Sequence, residues 1–254
     1  MKNNVYQKIA SEKKGIAILI DPEKFSSIQR LTSLINKVNA ARPNFIFVGG
    51  STVTRKDFNQ CLSVMKSRTK IPIVIFPGAA HQVSQEADAI LFLSLLSGRN
   101  PDYLIGHHIQ AVDELEKMDI EIIPTAYLLI DGGRKSAVEY VSQTNPIPSN
   151  QPNIVRKTAL AGKYQGKKII YLDAGSGAAD AIPIEIIKSV NNLDLPLIIG
   201  GGIRTIANIK QAHDAGANLV VIGNKIEDDM DFLLDIANYS KFNGKRNFGL
   251  DACF

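Results

Sequence analysis

The chain has 254 residues, of which 45% are hydrophobic and 21% are charged, and 29 basic against 25 acidic residues give a net charge of +4. This composition is typical of a globular protein with a full core, and the length is close to the ~250 residues of a single (β/α)8 barrel. The weak positive charge fits acidic substrates and argues against nucleic acid, since no cluster of lysines and arginines is interleaved with aromatic residues.

The first residues and the cysteines favour a cytoplasmic protein. Residues 1–15 read MKNNVYQKIASEKKG and lack the apolar core of a signal peptide. No apolar run approaches the ~20 residues that span a bilayer, so we expect no transmembrane segment and at most a peripheral contact with a membrane. Cys61 and Cys253 lie far apart without metal-binding spacing, which favours reduced thiols over a disulfide.

Apolar runs alternate with amphipathic segments along the chain. Strands with their following loops are predicted at 15–21, 45–51, 72–78, 89–96, 120–130, 167–177, 197–205 and 219–226. Helices are predicted at 26–40, 55–67, 102–118, 154–164 and 184–191, and a helical pattern follows each of the last two strands. Runs of Ile, Val and Leu that are apolar on both faces are typical of buried parallel strands. The alternation therefore predicts an α/β fold, a single (β/α)8 barrel domain over residues 1–254.

Three segments depart from this regular pattern. Only about ten polar residues, around HQVSQEAD, separate the third and fourth strands, so the third helix is expected to be short or missing. Residues 144–153 contain three prolines and no periodicity, which predicts a surface loop and a candidate lid. The tail, residues 241–254, is apolar enough at its end to pack on the barrel or on a neighbouring subunit.

The last two strands end in glycine-rich loops. LIIGGGIRT contains Gly201 and Gly202, and LVVIGNKI contains Gly223 and Asn224. Backbone amides at helix N-termini bind anions, and the loops after strands seven and eight are the usual phosphate site of a barrel. Glycines needed only for tight turns are the weaker interpretation, because two adjacent strands carry the same feature. The sequence therefore predicts a phosphorylated small molecule as ligand.

Six motifs occur in order across nearly the whole chain: LIDPEKF, FVGGS, PDYLIGHH, YLDAGSG, IGGGIR and VIGN. Together they resemble the geranylgeranylglyceryl phosphate synthase family, the PcrB-like prenyltransferases. The resemblance implies a modified barrel without a regular third helix, and Mg2+-dependent transfer of a geranylgeranyl or longer chain from its diphosphate to the C3 hydroxyl of sn-glycerol 1-phosphate in ether-lipid biosynthesis. It also implies a homo-oligomer, either a dimer or a hexamer.

The resemblance assigns the metal to the ends of the first two strands. Asp21 is expected to bind Mg2+, and Ser51 is expected to supply a second oxygen ligand, because Mg2+ prefers oxygen ligands and substrate phosphates. Simpler interpretations stay open, with Asp21 in an Asp-Pro turn and Ser51 capping the next helix. Lys24 is a candidate contact for the diphosphate, although a solvated lysine is an equal alternative. Tyr103 is a candidate for the prenyl groove.

YLDAGSG, the motif that ends the predicted sixth strand, is the candidate catalytic segment. The residues assigned to glycerol phosphate are Tyr171, Leu172, Asp173, Ala174, Gly175, Ser176, Gly177, Gly201, Gly202, Gly223 and Asn224. Tyr171 is a candidate hydrogen-bond donor to the substrate, and Asp173 stands where the family usually has a glutamate as general base. The aspartate reaches about 1.5 Å less far, one carbon–carbon bond, so its role as base needs a test.

Two other functions compete with the prenyltransferase. Another phosphate-binding barrel isomerase or synthase would share IGGGIR and VIGN, but would leave Asp21 and YLDAGSG unexplained. A non-catalytic barrel that binds a phosphorylated metabolite is left open by the change from glutamate to Asp173. The histidines His107, His108 and His213 are expected to be structural or surface residues, since the adjacent pair lacks the i, i+4 spacing of a helical metal site. Arg204 fits a phosphate contact or a salt bridge equally well.

Overall fold

The structure, a computed structural model, describes the backbone of residues 4–244 and the side chains of residues 4–241. Within this range eight parallel strands close into a barrel in chain order, and the last strand pairs with the first. The strands are β1 (Gly15–Ile20), β2 (Phe45–Val48), β3 (Ile73–Ile75), β4 (Ala89–Leu95), β5 (Glu121–Leu129), β6 (Ile169–Asp173), β7 (Leu197–Gly200) and β8 (Leu219–Ile222). The predicted (β/α)8 barrel is confirmed. Cys253 and most of the tail lie outside the described residues.

Helices accompany the strands, and except for α1 they lie on the outside of the barrel. They are α1 (Val5–Ser11), α2 (Ile28–Ala41), α3 (Arg55–Lys66), a π-helical turn (Asp102–Gly106), α4 (His107–Leu115), α5 (Ala137–Ser142), α6 (Pro152–Tyr164), α7 (Ile184–Val190), α8 (Ile206–Asp214), α9 (Asn224–Asp228) and α10 (Phe232–Gly244). Polar caps fix several starts: Ser27 caps α2, Thr54 caps α3 and Thr205 forms a capping box on α8. In the described range, no helix is long and apolar enough to cross a membrane.

Strand residues alternate between two apolar cores because successive side chains point to opposite faces. On β1, Ile18 faces the outer core between strands and helices, and Ala17 faces the inner core within the barrel. On β6, Tyr171 and Asp173 point inward and Leu172 points outward. This alternation determines which of the predicted site residues can reach a ligand inside the barrel.

The helix after β3 is missing, as predicted. Residues 76–88 contain no helix and run as a loop between β3 and β4. The side chain of Gln82, which is fully buried, holds this loop by donating to the carbonyl of Gly50 at 2.8 Å and accepting from the amide of Gly78 at 3.0 Å. The side chain of Gln82 thus supplies hydrogen-bond partners to backbone groups in a segment that has no helix.

Several elements differ from the sequence prediction. Helix α1 was not predicted; it inserts Val5 and Ile9 into the inner core, and Glu121 at the start of β5 accepts hydrogen bonds from its first amides. The predicted helix 102–118 begins with the π-helical turn, and no helix was predicted for the segment that forms α5.

The proline-rich segment 144–153 is anchored to the barrel. Ile147 is 6% exposed and pairs with the end of β5, donating to the carbonyl of Leu129 at 2.9 Å. Residues 144–153 do not line the central cavity described below, whereas three residues of α5 do. The candidate lid is therefore better assigned to α5 than to the proline-rich loop.

Candidate active site

A cavity of about 320 Å3 opens at the carboxyl ends of the strands, where barrel enzymes place their active sites. Polar groups follow strands that are contiguous around the ring, β6, β7, β8, β1 and β2: Asp173, Ser176, Gly201, Gly202, Asn224, Glu227, Asp21, Lys24, Ser51 and Thr52. Apolar groups come from β3, β4, β5 and the helical segment after β4: Phe76, Val83, Phe92, Leu93, Tyr103, Ala111 and Tyr127. We call these the polar half and the apolar half of the cavity.

Asp173 lies where the two halves meet. Its side chain is 8% exposed, and Oδ2 accepts a hydrogen bond from the hydroxyl of Tyr127 at 2.6 Å. Oδ1 accepts from the amide of Gly175 at 2.9 Å. Burial raises the pKa of Asp173 above its ordinary value, and the two hydrogen bonds oppose this rise. A buried carboxylate with a raised pKa is suited to accept a proton.

Tyr171 belongs to an aromatic cluster at the same boundary. Its ring stacks on Phe76 with centroids 5.0 Å apart, and Tyr127 meets both rings edge-on at 5.6 and 5.7 Å. The hydroxyl of Tyr171 lies beside Gly200, where any larger residue would collide with it. Within the described chain this hydroxyl donates to no protein acceptor, which leaves it for a ligand in the cavity.

The loops after β7 and β8 form a cradle of backbone amides. Gly202 has a φ of +67°, and a side chain there would collide with the carbonyl of Asp180, so both conformation and space require glycine. In the described range, the amides of Gly202, Asn224 and Lys225 have no protein acceptor, as expected for loop and first-turn positions. These groups can bind an anion.

Asn224 connects this cradle to the loop after β6. Its Oδ1 accepts from the amide of Gly177 at 2.8 Å, and its Nδ2 donates to Ser176 at 3.1 Å and to Glu227 at 3.0 Å. Arg204 lines the cavity and donates to the carbonyl of Ala178 at 3.2 Å. It forms no salt bridge within the described chain, and the phosphate contact stays a prediction.

Not every residue of YLDAGSG faces the cavity. The side chains of Leu172 and Ala174 are buried in the outer core, and the amide of Ala174 already donates to the carbonyl of Gly200 at 3.0 Å. These two residues can therefore shape the site only through the backbone. Gly223, Gly175 and Ser176 line the cavity, and Gly177 lies beside it through its bond to Asn224.

Oxygen atoms suited to a hard cation lie at the ends of β1 and β2. Asp21 is half-buried, and burial raises the pKa of its carboxyl group. A side chain at Gly50 would collide with this carboxylate, so glycine lets the two loops approach. Ser51 lines the cavity and does not cap α3, because Thr54 does. Lys24 is exposed at the rim and interacts electrostatically with Asp21.

No cluster of three or more His, Cys, Asp or Glu residues within the described range could hold a metal by itself. Mg2+ commonly takes one or two protein carboxylates and completes its shell with substrate phosphates and water. Asp21 and the hydroxyl of Ser51 therefore fit a metal that arrives with a phosphorylated substrate, rather than a permanently bound one.

The apolar half is built largely by the segment after β4. Tyr103 packs edge-on against His107 at 4.7 Å, and His108 stacks on Phe92 at 4.0 Å while Nε2 donates to the carbonyl of Leu93 at 2.6 Å. His108 is thus structural, as predicted. His213 is structural as well, bonded to Gly15 far from the cavity. The loop that stands in place of a helix after β3 also lines the cavity, through Ala79, Ala80 and Val83.

Sequence reasoning missed three residues of the site. Tyr127 lies in an apolar strand with no polar motif around it, and Phe76 precedes the motif-free loop after β3. Glu227 lies three residues after Asn224, and burial together with the charge of Asp21 raises the pKa of its carboxyl group. Only the spacing of Glu227 from the VIGN motif offered a signal in the sequence.

Comparisons with known proteins agree with this geometry. The model of the PcrB family matches residues 7–240. A relative named geranylgeranylglyceryl phosphate synthase, from Zunongwangia profunda, is 49% identical over 216 residues, which cover 85% of this chain and 92% of the relative.

Two solved structures show how far the likeness extends. The (S)-3-O-geranylgeranylglyceryl phosphate synthase of Thermoplasma acidophilum, in complex with its substrate sn-glycerol-1-phosphate, superposes with a TM-score of 0.86 at 32% identity, covering 95% of this chain and 97% of that one. A tryptophan synthase α-subunit from Pyrococcus furiosus reaches a TM-score of 0.57 at 12% identity, covering 91% of this chain and 97% of that one, and shares the fold alone.

Proposed function

We propose that this chain, which belongs to the PcrB family, is a geranylgeranylglyceryl phosphate synthase that transfers a prenyl chain to sn-glycerol 1-phosphate. The observation that carries the proposal is the division of one cavity into an anion-binding polar half and an apolar half, with a buried carboxylate where they meet. The relatives named for this reaction, and the Thermoplasma enzyme with its bound glycerol phosphate, support it.

The polar half binds sn-glycerol 1-phosphate. The phosphate accepts hydrogen bonds from the free amides of Gly202, Asn224 and Lys225, because these donors have no protein acceptor in the described chain. The hydroxyl of Tyr171, which has no partner there either, donates to the glycerol. Anchoring the phosphate at the β7 and β8 loops directs the glycerol hydroxyls toward Asp173 on β6.

The ends of β1 and β2 bind the diphosphate of the prenyl donor. Asp21 and Ser51 would hold Mg2+, and Lys24 at the rim supplies a positive charge to the same group. When bound, the metal neutralises negative charge on the leaving diphosphate. Asp21 is suited to this role because burial makes the charged form of its carboxyl group less favourable in the protein alone.

At C1 of the prenyl chain the reaction forms one bond and breaks one, and one proton is transferred. The C3 oxygen of glycerol phosphate attacks C1 of the prenyl chain, the bond from C1 to the diphosphate oxygen breaks, and its electron pair leaves with the diphosphate. Asp173 takes the proton of the attacking hydroxyl. Holding both substrates in line supplies much of the rate, and the apolar half excludes water from the electron-poor allylic carbon.

The protein is further proposed to act as a cytoplasmic homo-oligomer. Helix α4 and the turn before it expose Ile105, Ile109 and Val112 on one side, at 54%, 65% and 44% of their surface. An apolar stripe of this kind favours association with a second copy. Sedimentation velocity of the purified full chain measures the state, and a monomer at micromolar concentration would contradict this part of the proposal.

The test of the function is an assay with purified protein, Mg2+, labelled sn-glycerol 1-phosphate and a series of prenyl diphosphates shorter and longer than geranylgeranyl diphosphate. We expect a prenylglyceryl phosphate product, and a loss of at least about a hundredfold in Asp21→Ala, because one metal ligand and its charge are removed. Glu185→Ala, which removes an exposed carboxylate on α7 away from the cavity, is the matched control. Absence of product with every donor, despite binding of glycerol phosphate, would contradict the proposal.

A further inference from the structure

Two donors from different elements hold the carboxylate of Asp173. Tyr127 on β5 donates to Oδ2 at 2.6 Å, and the amide of Gly175 after β6 donates to Oδ1 at 2.9 Å. A carboxylate has about four acceptor positions, so two stay available for a substrate hydroxyl. Because Tyr127 is itself only 4% exposed and is packed between Phe76 and Tyr171, its hydroxyl has little freedom to point elsewhere.

We propose that Tyr127 is a positioning residue for the reaction: its hydroxyl holds Asp173 ionised and in the one orientation that receives the proton of the glycerol hydroxyl. The inference rests on the proposed function and assigns a role to Tyr127, whose hydroxyl is the side-chain donor from β5 to the carboxylate of Asp173. Tyr127 keeps its own proton throughout; the proton that moves goes from the C3 hydroxyl to Asp173 as the new ether bond forms.

The surroundings of Asp173 explain why such a donor is needed. Burial raises the pKa of Asp173 and therefore favours the protonated form, which cannot act as a base. The titratable groups that face it in the described chain are Tyr127 on β5 and Tyr171 on β6, and β7 approaches with the backbone of Gly201. The pKa of each tyrosine is raised well above its ordinary value, so both stay neutral.

No lysine or arginine of the described chain offsets the charge of Asp173. The ionised form therefore depends on two neutral donors, of which the Gly175 amide is fixed by the loop and the Tyr127 hydroxyl is supplied by a side chain. Removing that hydroxyl takes away one of two stabilising contacts while leaving the ring and its packing in place.

The experiment compares Tyr127→Phe, Asp173→Asn and the double variant. We expect Tyr127→Phe to lower kcat about tenfold, the effect of a hydrogen bond to a charged group, with KM for glycerol phosphate unchanged. The acidic limb of the kcat profile moves to higher pH, because loss of the donor raises the pKa of Asp173 further. In the Asp173→Asn background, Tyr127→Phe is expected to cause no additional loss, since its effect passes through the carboxylate.

Tyr103→Phe removes a hydroxyl from the same cavity without touching Asp173, and its acidic limb should stay in place. Equal losses from Tyr127→Phe in the wild-type and Asp173→Asn backgrounds, or an unmoved acidic limb, would overturn the inference and leave Tyr127 as a packing residue. Thermal unfolding of each variant shows whether a loss comes from misfolding.

A second measurement separates this inference from the proposed function. The titration of the Asp173 carboxyl carbon, followed by 13C NMR in ligand-free protein, requires no catalysis. We expect its midpoint to move to higher pH in Tyr127→Phe. If the wild type forms no product but this midpoint moves, the proposed function is wrong and the effect of Tyr127 on the pKa of Asp173 is supported. If product forms and the midpoint does not move, the role of Tyr127 is wrong and the proposed function is unaffected.

Discussion

The two ends of the barrel are made by the same eight strands, yet the polar groups at each end differ in their hydrogen-bond partners and in the pKa shifts that burial causes. At the carboxyl ends, the carboxylates of Asp21, Asp173 and Glu227 are buried or half-buried, and burial raises the pKa of each. At the amino ends, Asn218 accepts from the amide of Leu197 and donates to the carbonyl of Glu12, both at 2.8 Å. His213 likewise has two partners, the carbonyl of Gly15 and the hydroxyl of Tyr239.

The contrast between the two ends indicates that polar groups at the carboxyl ends serve the reaction and those at the amino ends stabilise the fold. Burial disfavours the charged form of a carboxylate, and none of these three forms a salt bridge in the described chain, although Lys24 interacts electrostatically with Asp21 and Glu227. Three such groups at one cavity indicate a site for charged ligands. At the amino ends, half-buried Asn218 and buried His213 have two partners each and instead fix the positions of strands and loops. Variants at the carboxyl ends should therefore change activity, and variants at the amino ends should change stability.

The largest effect is expected at the carboxyl end. Asp173→Asn should lower kcat by about 10^2 to 10^4, the usual contribution of a general base. The same variant should unfold at a higher urea concentration at neutral pH. Because the folded pKa of Asp173 is raised, its contribution to stability is full below the unfolded pKa and is lost as pH rises through the folded pKa.

The gain in stability from Asp173→Asn should therefore disappear when unfolding is measured at acidic pH, where the wild-type side chain is protonated in both states. An Asp173→Asn protein that keeps its activity, or that is less stable than the wild type at neutral pH, would remove the contrast between the two ends.

The next effect belongs to the amino end and depends on pH. Burial lowers the pKa of His213 from 6.5 to about 4, so the stability it supplies is present above its unfolded pKa and is lost as pH falls through the folded value. The difference corresponds to about 3 kcal/mol in the free energy of unfolding. His213→Gln, which cannot titrate, should flatten the acid dependence of urea unfolding while kcat at neutral pH stays unchanged. An equally steep dependence in the variant would contradict the assignment.

A smaller effect is expected at Asn218. Asn218→Ala leaves the amide of Leu197 at the start of β7 without its acceptor, which should lower the free energy of unfolding by about 1–3 kcal/mol. Product formation at a temperature where the variant is folded should match the wild type. A selective fall in kcat with unchanged unfolding would show that the amino end contributes to the reaction directly.

The sequence predicted the barrel because its strands are apolar on both faces, a pattern that few other elements share. Helix α1 was not predicted, because two buried residues, Val5 and Ile9, are too weak a pattern to indicate a helix. The inner core that they contact is formed by strands distant in the sequence. Ser51 followed the pattern of an N-cap, and only the structure shows that Thr54, three residues later, caps α3.

The candidate site was predicted where motifs carry polar residues and was missed where contacts join separate strands. Asp21, Asp173 and Asn224 lie in recognisable segments and line one cavity. Tyr127 looks like any aromatic residue of a buried strand, and its role depends on the register of β5 and β6, which pairs it with Tyr171. That register results from closure of the barrel rather than from any local pattern.

The most direct measurement of the central claim supplies the purified chain with geranylgeranyl diphosphate, Mg2+ and either enantiomer of glycerol phosphate, and identifies the product by NMR. The division of the cavity predicts an ether bond at C3 of sn-glycerol 1-phosphate, because the phosphate is fixed in the β7 and β8 loops and one hydroxyl is brought to Asp173. The account predicts little product from sn-glycerol 3-phosphate. Equal product from both enantiomers, or none from either, would contradict it.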